Sequence, residues 1–269
     1  MHEDKTAFQR GTRGPTLILL AAVICAPSAA MATTILGSAA SFAVLGASEV
    51  TNTGPTTIDG DLGVSPGSSI TGSSTITIVG SVHQTDAVAA QARSDAASAF
   101  TALQGMPSTM SLTGQDLGSV GVLSPGVYTF ASSAQLTGGL VLSFDGNSNE
   151  SIVFQIATTL TTASASSVTV IDGGTNDLVY WEVGSSATLG TGSLFIGSII
   201  AEQSVTLTTG VGIYCGRAIA LSGAVTMDTN TVSTECLNGG PAFASEPASL
   251  LVLVTGLIGM AGLRWAKRS

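Results

Sequence analysis

The sequence predicts a mostly β protein, a parallel β-solenoid with one long α-helix lying alongside it. Two observations lead there: a strand pattern that returns every 18 to 20 residues, and one alanine-rich stretch free of glycine and proline. The repeats are SSATLGTG (185–192), QSVTLTTG (203–210) and SGAVTMDTN (222–230), in which Thr188, Thr206 and Thr226 are equivalent. Each has an apolar residue on either side, so the apolar pair turns inward and the threonine outward. A period of this length with glycine at the corners is the mark of stacked coils. Similar strands occur in STITIVG (74–80), SIVFQIATTL (151–160) and SSVTV (166–170).

The helix is expected from about 85 to 104, TDAVAAQARSDAASAFTALQ. Thr85 is the expected N-cap, Asp86 suits the positive helix end, Gly105 can stop the helix in the left-handed region, and Pro107 forbids continuation. Val88, Ala92, Ala96, Ala99 and Leu103 fall on one stripe. At ~1.5 Å per residue such a helix is ~30 Å long and would run along about six coils spaced ~4.8 Å apart.

The ends of the chain carry addresses. Lys5, Arg10 and Arg13 flank the apolar run LILLAAVICA (17–26), and Ala30-Met31-Ala32 closes it, so residues 1–32 read as a secretory signal with Thr33 next. At the other end Ser245, Glu246 and Pro247 precede an apolar run from Ala248 to Leu263, with Arg264, Lys267 and Arg268 behind it. The order Glu-Pro, short apolar helix, basic terminus resembles the PEP-CTERM sorting tail, with Ser245 in place of the usual first proline. The resemblance implies arrest in the membrane and processing by an exosortase-type peptidase, with Glu246 and Pro247 as the sorting motif. A plain transmembrane anchor is the alternative for 245–269.

Residues 33–240 remain for one solenoid domain. Arg93 and Arg217 are the only basic residues of 33–244 against fourteen acidic ones, a net charge of −12. That excludes nucleic acid as a partner, because such binding depends on lysine and arginine neutralising phosphates. Cys25 leaves with the signal, and Cys215 and Cys236 favour one disulfide over two free thiols in an oxidising compartment.

From Leu36 to Val232 the chain resembles the ice-binding protein family of the single-helix, irregular β-solenoid type. The residues that carry this are GDLGVSPG (60–67), LSPGVYTF (123–130), SIVFQI (151–156), LVYWEVGSSATLGTGSLFIGSIIA (178–201) and GRAIALSGAVTMDTNTV (216–232), with the helix in the family's place. The resemblance implies a right-handed solenoid of triangular section, the helix packed alongside, and one flat face free to bind ice.

Threonine suits that task, offering a methyl group that water cages and a hydroxyl that bonds into the cage. Thr75, Thr77, Thr169, Thr188, Thr206, Thr208 and Thr226 are the candidate ice-binding residues, while Asp228 would be a blemish on the same face. Catalysis, as in a polysaccharide-active β-helix enzyme, finds little support. His83 is the only histidine of 33–244 and no lysine remains, so a His-based triad, a zinc site or a Schiff base is hard to assemble. Asp59-Gly60-Asp61 and IDGGTND (171–177) read as turns. No metal or cofactor is expected. The main rival is a non-catalytic adhesin or exopolysaccharide-matrix protein, which shares fold and address with the ice-binding reading.

Overall fold

The computed structural model describes residues 35–174 and 176–236. The signal at 1–32 and the sorting tail at 245–269, including Glu246 and Pro247, lie outside the described residues. Those described form a parallel β-solenoid with three strands to a full coil. One α-helix, Ala87–Gln104, is found among them.

Three faces result. One is a separate seven-stranded parallel sheet made of Ala134–Leu136, Leu160–Thr162, Ala187–Leu189, Val205–Leu207, Val225–Asp228, Glu49–Thr53 and Ser69–Thr71, stacked in that order. The other two faces are joined, because Leu194–Ala201 and Gly212–Ala220 run through the corner between them. The first part of Leu194–Ala201 pairs with Ser167–Ile171 and the last part with Leu178–Val183. The bend falls at Gly197, opposite which the neighbouring strand carries an extra residue. Gly197 has φ 104°, and a Cβ there would lie 2.7 Å from Val179, so only glycine fits.

Stacking order differs from chain order. The first coil, Phe42–Asp59, lies on the last: Phe42–Gly46 pairs with Gly212–Ala220, Glu49–Thr53 with Val225–Asp228, and Thr56–Asp59 with Thr231–Ser233. A second coil, Asp61–Val79, stacks beyond the first and is followed by Val82–Gln84. The helix then returns the chain to the opposite end, where Met110–Ser111 starts the remaining coils on Gly126–Phe130. Six strand spacings of ~4.8 Å separate Asp61–Val64 from Gly126–Phe130 on the covered face, ~29 Å in all. The helix's 18 residues cover ~27 Å, so its length is set by the stack it crosses.

The helix differs in detail from the sequence expectation. It begins at Ala87 rather than Thr85, and its N-cap is Asp86, whose carboxylate accepts the Ala89 N–H at 2.8 Å. Thr85 lies outside with φ 58°. Gly105 has φ −80°, so the helix stops without a left-handed residue. The buried stripe is Ala89, Ala92, Ala96, Ala99, Phe100 and Leu103, whereas Val88 is exposed, because the stripe runs through the neighbouring position. Small alanines let the helix lie close on Leu45, Val153, Tyr180, Ile200 and Ile219. Polar ties hold it there: Arg93 Nε donates to the Leu221 carbonyl at 2.9 Å, and the Ser38 hydroxyl donates to Asp95 at 2.6 Å.

Inside the coils the inward residues make one continuous core. Phe154 and Trp181 occupy the same register position on neighbouring strands and stack with centroids 3.9 Å apart. The Trp181 indole N–H donates to the Ile196 carbonyl at 3.0 Å, which satisfies a fully buried donor. Cys215 and Cys236 are disulfide-bonded.

Candidate functional site

The seven-stranded face carries the most regular outward array of the described residues. Its register reads Gln135–Thr161–Thr188–Thr206–Thr226–Thr51–Thr71, one residue per strand, with each neighbouring pair directly aligned. Six threonines therefore stand in an unbroken rank, ~24 Å long at the ~4.8 Å strand spacing. Beneath them Leu160, Ala187, Val205, Val225 and Val50 are fully buried, so the backbone that presents the rank is anchored along its length.

What these side chains do not contact is informative. None of the six hydroxyls makes a hydrogen bond to another described residue, so all six are free to bond outward. Charge is sparse beside them. The four strands from Ala134 to Leu207 on this face carry no charged residue. Glu49 and Asp228 sit two positions from the rank on the first and last coils. Asp228 lies at the margin, and its carboxylate accepts the Thr209 hydroxyl at 2.5 Å and the Thr229 hydroxyl at 3.0 Å.

The candidate threonines from the sequence divide among several environments. Thr188, Thr206 and Thr226 are brought together in the rank. Thr208 is on the same face but half-buried at its edge, and its hydroxyl donates to the Leu189 carbonyl at 2.7 Å. Thr77 and Thr169 lie on the second face, aligned with Thr57 and Val141 respectively. The expected outward strand position of Thr75 is corrected: Ser73–Thr75 is a 3-10 turn, and the Thr75 hydroxyl donates to Gly72 at 2.9 Å. The strand starts one residue later because Gly72, with φ 69°, turns the chain there.

Three rank members, Thr51, Thr71 and Thr161, escape a search for threonines between apolar neighbours. Thr51 and Thr161 are each followed by a buried polar residue, Asn52 and Thr162, and Thr71 is followed by Gly72. Asn52 belongs to a polar ladder along the edge of the face. The Thr56 hydroxyl donates to Asn52 at 2.7 Å, the Asn230 N–H donates to Thr56 at 3.0 Å, and the Asn230 amide donates to the Thr208 carbonyl at 2.8 Å. The ladder pins the first coil to the last beside the rank.

The groups weighed for catalysis have structural partners. His83 Nδ1 lies 2.8 Å from Asp86, the helix cap. Asp59 accepts the Ser233 hydroxyl, and Asp61 accepts the Ser81 N–H. Asp177 accepts the Gly174 N–H within its turn and the Glu150 N–H from the neighbouring coil. Among the described residues no group of three histidine, cysteine or acidic side chains is placed to hold a metal ion.

A family model described as ice-binding-like matches residues 44–233. The ice-binding protein of Nostoc sp. (strain HG1) is 52% identical over 229 residues, 84% of each chain. Among solved structures, an ice-binding protein from the Antarctic ascomycete Antarctomyces psychrotrophicus is similar with a TM-score of 0.70 and 39% identity. That match covers 74% of this chain and 97% of the other. An ice-binding protein from an Antarctic biological consortium is similar with a TM-score of 0.69 and 40% identity, over 74% and 89% of the two chains.

Proposed function

The chain belongs to the ice-binding-like family, and from that premise we propose that it adsorbs to ice through the face bearing Thr161, Thr188, Thr206, Thr226, Thr51 and Thr71. The observation that carries this reading is the register: six hydroxyls aligned strand to strand, none of them bonded within the described protein. Strand spacing lies close to the lattice repeat of ice, so the rank can hold water in places that continue the lattice. The methyl groups cage that water, and the scarcity of charge avoids orienting it otherwise. The role is non-catalytic.

The test is thermal hysteresis and ice-recrystallisation inhibition of residues 33–244, wild type beside Thr206→Tyr. The tyrosine ring breaks the rank at its middle, so most of the activity should disappear while circular dichroism stays unchanged. Activity retained in full would move the ice contact to another face. No activity in the wild type would sink the reading.

We further propose that the protein acts outside the cytoplasm, with 1–32 as the export signal and 245–269 as a tail processed by an exosortase-type peptidase or kept as an anchor. The basic flank, apolar core and A-x-A sequence support the first part, and the Cys215–Cys236 bond is consistent with an oxidising compartment. No helix among the described residues is long and apolar enough to cross a membrane. Mass spectrometry of the protein recovered from its cells would test both ends, with Thr33 as the expected first residue. The tail's resemblance also favours a second reading, a matrix protein delivered with exopolysaccharide, which an active wild type and an inactive Thr206→Tyr would displace.

A further inference from the structure

A groove of about 250 Å³ opens at the edge of the helix-covered face, beside the helix C-terminus. Its floor follows one outward rank of that face. In register the rank reads Ser111–Thr129–Gln155–Glu182 and then Ile200–Ile219–Leu45. The apolar members pack with the helix. The polar members, together with Gln104 and Thr113, line the groove.

Two of these side chains are only partly satisfied. Gln155 Nε2 donates to the Leu103 and Met106 carbonyls at 2.6 and 2.9 Å, which caps the helix, and its amide oxygen has no partner among the described residues. Glu182 is only 2% exposed, and its Oε1 is enclosed without a hydrogen bond. A buried carboxyl is normally paired, holds a cation, or keeps its proton. Here no basic side chain lines the groove, and Arg93 and Arg217 are bonded to carbonyls elsewhere. The charged group facing Glu182 is another acid, Glu202 on the neighbouring coil.

The groove therefore gathers the Glu182 carboxyl, an amide oxygen, hydroxyls and the negative end of a helix, a set suited to a positively charged donor. A multivalent metal ion would need further carboxylates or imidazoles, and no such trio is present among the described residues. With ~30 Å³ per water molecule, the groove has room for about eight waters, the scale of one sugar ring with its hydroxyls. We propose that it binds the primary ammonium group of an amino sugar. The ammonium donates to Glu182 and to the free oxygen of Gln155, and the ring hydroxyls exchange hydrogen bonds with Ser111 and Thr129. The site is separate from the threonine rank and does not rest on the ice-binding reading.

Burial, and secondarily Glu202, push the Glu182 carboxyl up to about 7. Binding should therefore strengthen as pH rises through 7 and weaken again once the amine loses its proton. Calorimetric titration of the full-length chain in mild detergent tests the proposal with glucosamine, glucose and methylammonium as probes. Glucosamine should bind most tightly, and Glu182→Gln should weaken it by about tenfold or more. The same variant should keep its circular dichroism, and Thr206→Tyr should bind glucosamine as the wild type does. Glucose binding equally well would overturn the ammonium contact, and methylammonium binding equally well would overturn the sugar. Absent binding of glucosamine, or an unaffected Glu182→Gln, would overturn the site.

Discussion

The threonine face and the helix-covered face are built on the same coils, yet their outward ranks differ in what they meet. On one, Thr188, Thr206 and Thr226 stand in register, the first two half-buried and the third exposed; on the other, Ile200, Ile219 and Leu45 stand in register and fully buried. Backbone and inward packing are alike, so the covering partner decides the outward chemistry. An alanine-rich helix covers one rank, and water the other. Stability should therefore be concentrated on the covered face and function on the open one.

That division can be broken most severely by a charge. Ile219→Asp would bury an unpaired carboxylate under the helix and should cost more than about 4 kcal/mol, read as lost cooperative unfolding in denaturant. Thr188→Asp places the same group on the open rank, where stability should change by about 0.5 kcal/mol or less while ice-recrystallisation inhibition falls sharply. Comparable losses of stability in the two variants would erase the distinction.

Glu182 sharpens it, as a charge already present at the margin of the covered face. Its carboxyl is raised from 4.5 to about 7, so the native state holds the proton more tightly than the unfolded chain. Its contribution is fully present below pH 4.5 and is lost as pH rises to 7. The loss is about 3 kcal/mol at most. The stability difference between wild type and Glu182→Gln should vary across that window and be flat above it. A difference independent of pH would mean that Glu182 ionises freely. The smallest effect belongs to Thr206→Val, which keeps the methyl groups and removes one outward hydroxyl. Its unfolding free energy should stay within about 0.5 kcal/mol of the wild type, and its ice activity should fall less than that of Thr206→Tyr.

Much of the fold was legible because its signals are local. The spacing from Thr188 to Thr206 to Thr226, with apolar residues on both sides, reports a coil and its outward position. The same test cannot report which face a strand joins, so Thr77 and Thr169 met it on the second face. It also fails where an inward position is polar, and Asn52 and Thr162 hid two rank members for that reason. Their polarity makes sense only with partners distant in sequence: Asn52 bonds Thr56, which bonds Asn230, and Thr162 bonds Ser193. The groove was invisible for a similar reason, since Ser111, Thr129, Gln155 and Glu182 align only once four strands are stacked.

The stacking of the first coil on the last bears on how the chain acquires its structure. Asn230 bonds Thr56 across 174 residues, and Arg217 bonds the Ala40 carbonyl across 177. Contacts so remote close a very long loop before they return any stabilisation, which slows folding. The two N-terminal coils are made first, yet their neighbouring layer is the last to be made. Assembly can proceed coil by coil within each part, since the second coil stacks on the first, but the two N-terminal coils meet the rest of the stack only when the final turn arrives. That turn works as a keystone: the first coil, and through it the second, rests on the layer placed last.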